Sequence, residues 1–474
     1  MSYDLNSYFQ LGLDSSTNPQ QSLVMNTIRT PVDSQSGRSG LSKVTFKVPK
    51  VGLLTGDSMI SVQFITNPNA TTAVTANVTP NFISGALGCV ERCRILIDNK
   101  VLTDLEKPSL LEIPKMYSRS TQNEVAQFNN KFLANQFETS IDNDSGLEEF
   151  ANEKTRYFTA ADRTTDVQNV VRNRPQSEDN SRVYGLHLKN LGAEFLDSES
   201  LPVFLLGSQR EMIIELFFSK DCREYLVPTE GTLAADHYIV NYPNVELVTT
   251  HIQLPDSVQA NEIAALASNP VSYPLIDNYV VKGTITNGAA GATTSKIYRI
   301  NAQNRELHKL LMIHENTTGD VENDNRVVGN QKAIALGDEN LQIKANGLNL
   351  FERPVTSQSL LYQMTTYAHN GMALKLPMNA CRVDTRVNAM NQMTNNLGLN
   401  YRGNAKYLAI DFGNGNGGVY GGGTTQKQAM EIEYNVTPTN STNPVQQNRT
   451  FDASFYLSVS KLLTLGARTT EISF

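Results

Sequence analysis

Apolar and polar residues alternate with a period of two in several stretches of this chain, and that period predicts strands. Val44, Phe46 and Val48 alternate with Thr45 and Lys47, and Pro49 ends the run. Residues 59–65 form a second such stretch, followed by a Thr/Asn/Pro-rich loop over 66–81. Residues 93–97 and 101–105 flank a turn at Asp98-Asn99-Lys100 and read as a hairpin. Further strands are predicted at 182–188, 203–206 and 211–218, the last apolar on both faces. Between them the pattern weakens. A short helix over 109–117 is interrupted at Pro114, and Phe128, Phe132 and Phe137 mark another in a polar stretch. Residues 142–180 read as a long loop, a kind of segment that is often functional.

A second series begins near Tyr242. Val245, Leu247, Thr249, His251 and Gln253 alternate with Val248, Ile252 and Leu254. A helix follows over 256–267, with Asp256 as N-cap, Gln259 three residues on, and Asn269-Pro270 as stop. Strands are predicted at 278–282, 296–300, 307–313, 407–412, 429–434 and 451–459, with a helix at 357–367. Ile472 and Phe474 suggest a short closing strand.

The two series share a repeat. Ile95, Ile97, Leu102, Leu105 and Glu106-Lys107-Pro108 match Leu341, Ile343, Leu348, Phe351 and Glu352-Arg353-Pro354 at one offset of 246 residues. Ser-Leu-Leu follows each copy, at 109–111 and 359–361. A second echo pairs 216–220 with 457–461 at an offset of 241. Together they predict a chain built twice from one β-rich unit. The expected organisation is an arm over 1–42, a first jelly roll over 43–241 and a second over 242–474 that includes a C-terminal tail. The fold class is all-β: two tandem antiparallel eight-stranded jelly rolls, with short helices in long connecting loops.

Composition supports this layout. At 474 residues the chain exceeds one core, since domains run to roughly 100–200 residues. Charged residues are 18%, and Asn, Thr, Ser, Gln and Gly fill the gap, which suits strands joined by polar loops. The net charge of −7 and the lack of a long Lys/Arg run argue against a nucleic-acid groove. Acids interleave the arginines between Arg156 and Arg174, so that segment reads as a solvated loop. Trp is absent, where sugar-binding platforms commonly use it. The N-terminus has no charged and apolar leader, so no signal peptide is expected. No apolar run reaches membrane-spanning length.

Candidate chemistry is sparse. Cys89, Cys93, Cys222 and Cys381 contain no CxxC and read as free buried thiols. His308 and His314 share a strand face six residues apart, too far for a common ligand; His187, His237, His251 and His369 are scattered. Asp411-Phe412-Gly413 lacks every other kinase element and reads as a strand end entering a turn. The Gly-rich run 413–423 leads to a strand, not to the helix a phosphate cradle needs. Residues 320–325 lack the Gly and Glu of a calcium loop. Seven Asn-x-Ser/Thr sequons, at Asn69, Asn77, Asn143, Asn316, Asn435, Asn440 and Asn448, reflect the Asn/Thr-rich composition. No catalytic, cofactor-binding or metal residue is singled out, and no enzyme activity is expected.

The hairpin over 93–102 with its acidic turn and Ser-Leu-Leu resembles the first domain of double jelly-roll major capsid proteins. The group it resembles most is that of Polinton-like viruses and virophages. Residues 244–254 leading into the helix at 256–267 resemble the start of that family's second jelly roll, and 455–463 its final strands. The resemblance covers about 43–474. It implies a structural protein of the virion, made in the host cell. Three chains would form a homotrimeric pseudo-hexagonal capsomer, or hexon, tiling an icosahedral shell around double-stranded DNA. It further implies trimer–trimer contacts and penton and minor capsid partners, and leaves an internal membrane open. The arm, and with it residues 462–474, would tie neighbouring subunits. The competing expectation is a double jelly-roll glycan-processing or glycan-binding protein, which needs paired carboxylates in a pocket.

Overall fold

The computed structural model describes residues 24–37, 42–67, 80–82, 86–112, 183–197, 200–222, 225–228, 234–315, 338–356, 407–412, 424–425, 427–438, 448 and 450–473. The expected loop over 142–180, the arginines between 156 and 174 and the helix at 357–367 lie outside them. So do Phe128, Phe132, Phe137, residues 320–325 and 413–423, His369, Cys381 and the second Ser-Leu-Leu.

Two sandwiches follow one another in the chain. In the first, a six-stranded sheet runs in the order Val24–Pro31, Glu246–Gln253, Met59–Thr66, Tyr238–Val240, with Leu53–Leu54 and Val183–His187 paired to its middle strands. The facing sheet has five strands: Ser34–Gly37, Ser42–Lys47, Met212–Phe218, Val90–Ile97 and Lys100–Glu106. In the second sandwich, six strands run in the order Val271–Thr286, Thr450–Leu465, Glu306–Glu315, Tyr407–Asp411. Thr424–Thr425 and Thr470–Ser473 are added at the side. Its facing sheet has four: Thr294–Ile300, Met430–Thr437, Asp338–Ala345 and Leu348–Asn349. The pairings are antiparallel. A small ladder joins Pro80–Phe82 to Leu226–Pro228.

The period-two pattern explains the cores. Along Met212–Phe218, Met212, Ile214, Leu216 and Phe218 are buried, while Ile213, Glu215 and Phe217 are half-buried. This strand is central, held by 42–47 on one side and 90–97 on the other. Its outer face is charged: Glu215 pairs with Lys43 and, at 3.2 Å, with Arg94. In the second sandwich Ile285, Ile300, Leu310, Ile343, Ile432 and Phe455 form one core across both sheets.

The two hairpins occupy matching places. Each follows the strand next to the centre of the smaller sheet, and each turns through two residues of positive φ. These are Asp98 (53°) and Asn99 (60°) in one, Asn346 (54°) and Gly347 (79°) in the other. Such turns match the right-handed twist of paired strands. The pairs closing them are Ile97–Lys100 and Ala345–Leu348, so the turns correspond at an offset of 248, not 246. A difference of two keeps the residues before the turn, Ile95 and Ile97 against Leu341 and Ile343, on the same face; after the turn the first hairpin carries a bulge at Leu102.

Several expectations are corrected. The arm does not extend through residue 42, because Val24–Pro31 and Ser34–Gly37 are edge strands of the first sandwich. Residues 246–253, expected to open the second unit, instead form a central strand of the first unit's six-stranded sheet, beside 24–31 and 59–66. The echo of 216–220 with 457–461 joins non-equivalent strands: 212–218 lies in the hairpin sheet, and its counterpart there is 430–437. The C-terminal tail is paired: Thr470–Ser473, the expected short closing strand, folds back onto 462–465. Val203–Leu206 is a 3-10 helix rather than a strand, all four side chains buried. A four-residue apolar run carries no period to separate the two. The strands at 271–286 and 450–465 run sixteen residues each and pair over their whole length. The helix spans Asp256–Ala265; Pro255 is its N-cap, and Gln259 reaches the Leu254 carbonyl at 2.7 Å.

One glycine holds the entry to the first sandwich. Gly52 has φ +57°, and a Cβ there would lie 2.1 Å from the Ile252 carbonyl oxygen. Gly52→Ala is expected to destabilise the fold by more than about 2 kcal/mol, as strained-backbone substitutions do. A thermal melt of the variant checks this.

Candidate functional site: the seam between the sandwiches

Several buried charged side chains converge where the first hairpin crosses the second sandwich. Strand 100–106 lies against strand 271–286 and its neighbour 450–465. Asp277 and Lys461 come from those two strands, and both are nearly fully buried. Lys461 Nζ lies 2.9 Å from Asp277 Oδ2 and donates to the Leu102 carbonyl at 2.6 Å. The Thr103 hydroxyl donates to Asp277 Oδ1 at 2.7 Å. Burial raises the Asp277 carboxyl above its ordinary value, while the Lys461 ammonium and the Thr103 hydroxyl pull it back.

A second cluster lies alongside. Glu315 is buried and accepts from Lys107 Nζ at 2.5 Å and from the Ser454 hydroxyl at 2.6 Å. Lys107 itself has φ 45°, and its carbonyl, with that of Glu106, accepts the Tyr456 hydroxyl at 3.1 and 3.3 Å. Lys282 pairs with Glu106 at the rim. Asn278 Nδ2 donates to Glu194 at 2.7 Å, which brings in the 3-10 helix Glu194–Asp197.

The third cluster is at the C-terminal turn. Arg210 donates to the carbonyls of Leu205 (2.7 Å), Leu206 (3.1 Å) and Thr469 (2.8 Å), and Lys100 donates to the carbonyl of Thr470. A planar guanidinium suits this role because its donors point in fixed directions. Between these polar points Leu311, Ile313, Ala409 and Tyr456 of the second sandwich join the apolar core of the first. Polar groups buried in low dielectric tolerate little misalignment. The seam therefore fixes how the two sandwiches stand against each other.

The residues weighed for chemistry in the sequence lie apart from this arrangement. Cys89, Cys93 and Cys222 are buried thiols in no disulfide; Cys222 Sγ donates to the Ala234 carbonyl at 3.1 Å, and burial pushes Cys89 and Cys93 far up. His308 and His314 are both buried; His308 Nε2 lies 2.6 Å from Ser460 Oγ, and His314 packs on Tyr434 with centroids 4.9 Å apart. Asp411 ends its strand. Among the described residues no group of three His, Cys, Asp or Glu could hold a metal ion, and no helix is long and apolar enough to cross a membrane. Sequence reasoning passed over Asp277, Lys461, Glu315 and Arg210. Their one signal is a charge set among apolar neighbours, as in Leu275-Ile276-Asp277 and Lys461-Leu462-Leu463.

Two histidines give the first sandwich a pH dependence. Burial lowers both His187 and His251 below the ordinary histidine value. The folded chain keeps them neutral while the unfolded chain takes up protons below pH ~6.5. Their contribution is thus complete above that pH and declines as pH falls, by up to about 1.4 kcal/mol per pH unit for each ring. Melting temperatures recorded from pH 7 to pH 5 should fall, with a shallower slope in His251→Asn.

Two similar antiparallel sandwiches side by side in one chain make a double jelly roll, the fold of a class of major capsid proteins. Among solved structures, the chain is similar to the quasi-atomic model of the PBCV-1 virus capsid, at TM-score 0.59 and 10% identity, covering 97% of this chain and 98% of that one. It is also similar to the Sputnik virophage structure from cryo-EM (TM-score 0.50, 10% identity, 97% and 91% covered). The mavirus major capsid protein matches comparably (TM-score 0.50, 11% identity, 97% and 93% covered). At these identities the likeness is one of fold. No family model and no curated protein matches the chain.

Proposed function

We propose that this chain is a structural major capsid protein of a double-stranded DNA virus, without enzymatic activity. Three copies form a pseudo-hexagonal capsomer, and capsomers tile an icosahedral shell, with penton and minor capsid proteins completing it. The protein's place is then the virion. The observation that carries this reading is the seam. It fastens two sandwiches of matching strand order into one rigid pair through buried ion pairs and carbonyl contacts. Three such pairs present six near-equivalent corners. The first jelly roll is taken to run to about residue 254, because 246–253 pairs within it, and the second to begin at the strand 271–286.

Light scattering on the purified chain, with negative-stain electron microscopy, tests the proposal. A mass of three times 52.3 kDa and a six-cornered outline are expected. A stable monomer at high concentration would overturn it.

A further inference from the structure

One edge of the first sandwich is weakly anchored. Strand 24–31 is the outermost of the six-stranded sheet and pairs with 246–253 along its whole length. Yet none of residues 25–31 is buried: Met25, Thr27, Arg29 and Pro31 are exposed, and Asn26, Ile28 and Thr30 are half-buried. Arg29 pairs with Glu246, and Asn26 donates to Gln253, both in exposed positions. A strand held by backbone bonds with few buried contacts opens at a lower free energy than the core beside it.

Beneath this strand lies a buried imidazole. His251 is 0% exposed, as is Thr249. They pair across the ladder with Asn26 and Ile28. His251 Nε2 lies 2.9 Å from the Thr249 hydroxyl, which lies 3.4 Å from the Ile28 carbonyl oxygen. A hydroxyl has one proton to give. With that proton on the Ile28 carbonyl, Thr249 accepts from Nε2, and one hydrogen-bonded chain links the ring to the backbone of the edge strand.

Among the described residues, nothing packed around His251 offers a counter-charge. Asn26, Ile28 and Thr30 face it from strand 24–31, Leu247 and Thr249 from its own strand, and Leu53 and Leu54 from the strand paired beside it. Val44 and Phe46 turn inward from the facing sheet. The charges on these elements are engaged elsewhere. Arg29 and Glu246 pair with each other, and Lys43 and Lys47 pair with Glu215 and Glu211. Lys50 donates to the carbonyls of Gly207, Ser208 and Arg210, and Asp33 is exposed. Asp57 and Lys189 act on His187. Burial is what lowers His251 below the ordinary histidine value, and the Val51 backbone offsets part of it.

We propose that acidification releases strand 24–31 while the rest of the first sandwich stays folded, with His251 as the trigger. Closed, the ring stays neutral. With the strand away, the ring reaches water and takes up a proton near its ordinary pKa of ~6.5. The closed form therefore keeps its full advantage above that pH and loses it below, by up to about tenfold in the closed-to-open ratio per pH unit. Release bares the N–H and C=O groups of 246–253 on the side that 24–31 covered, an edge able to accept a different strand. The inference does not depend on the capsomer reading.

The test is hydrogen exchange on the full chain, read by mass spectrometry at pH 7 and pH 5 and corrected for the pH dependence of intrinsic exchange. Protection of residues 25–31 should fall by up to about thirtyfold between the two, while 44–48, 59–65 and 212–218 keep theirs. Equal protection of 25–31 at both pH values overturns the proposal. So does a loss shared equally by 59–65, which is unfolding of the whole sandwich. His251→Gln keeps a neutral hydrogen-bonding side chain and should leave 25–31 equally protected at both pH values; His187→Asn should lose protection as the wild type does. A loss that persists in His251→Gln, or vanishes in His187→Asn, overturns the role of His251. If His251→Gln does not fold, the wild type and His187→Asn still decide the matter by the same outcomes.

Discussion

Lys461→Ala destabilises the folded chain by about 3–5 kcal/mol, and Asp277→Ala does the same, because each leaves the other charge buried without its ionic partner. Lys461 would leave Asp277 with only the Thr103 hydroxyl as side-chain partner at the seam; Asp277 would leave Lys461 with the Leu102 carbonyl. The paired change, Lys461→Met with Asp277→Leu, should cost far less than either single change, since two charges no longer have to be desolvated. Denaturant midpoints of the three variants decide the matter. Single variants that cost no more than the pair would show that the ion pair does not hold the seam. Calorimetry adds a second readout: with the seam weakened, two sandwiches that melt together should separate into two transitions.

Phe455→Ala is the second large effect, expected at about 3–5 kcal/mol as for buried aromatic truncations. Phe455 is 1% exposed, and its ring centroid lies 4.8 Å from that of Tyr298. Tyr298 in turn lies over Gly283, where a Cβ would come 2.9 Å from the ring. The two rings, tilted at 58°, and the bare backbone of Gly283 thus pack together in the second core. Hydrogen exchange read by mass spectrometry should show lost protection at 271–315 and 430–465. Protection at 44–64 and 90–105 should remain near wild type. Equal loss in both halves would mean that the cores are not separate.

Strand identity was legible from alternation at 44–48, from the turn-flanked apolar positions at 93–97, and from a short run apolar on both faces at 212–218. Each of these has one face in a core and one facing outward. The hairpins were legible from Asp98-Asn99 and Asn346-Gly347, because few residues adopt the positive φ those turns need. Legibility failed where partners decide. Residues 246–253 carry the same alternation whichever sheet they join, and only pairing with 59–66 assigns them. The long strands 271–286 and 450–465 contain polar residues that look like ends: Asp277, Asn278, Ser458 and Lys461. These are buried because another part of the chain covers them. The seam joins residues such as Thr103 and Asp277 that are 174 positions apart, a relation that no local window contains.

The Asp277–Lys461 pair has a consequence for polymorphism. A heterologous contact that fails to close generates an open filament rather than a ring. In the three-chain capsomer proposed above, half of the angular steps would be set inside the chain, by that pair and its neighbours. A seam variant that stays folded but shifts its angle would therefore show itself less as lost affinity than as fibres, or as rings with the wrong number of members.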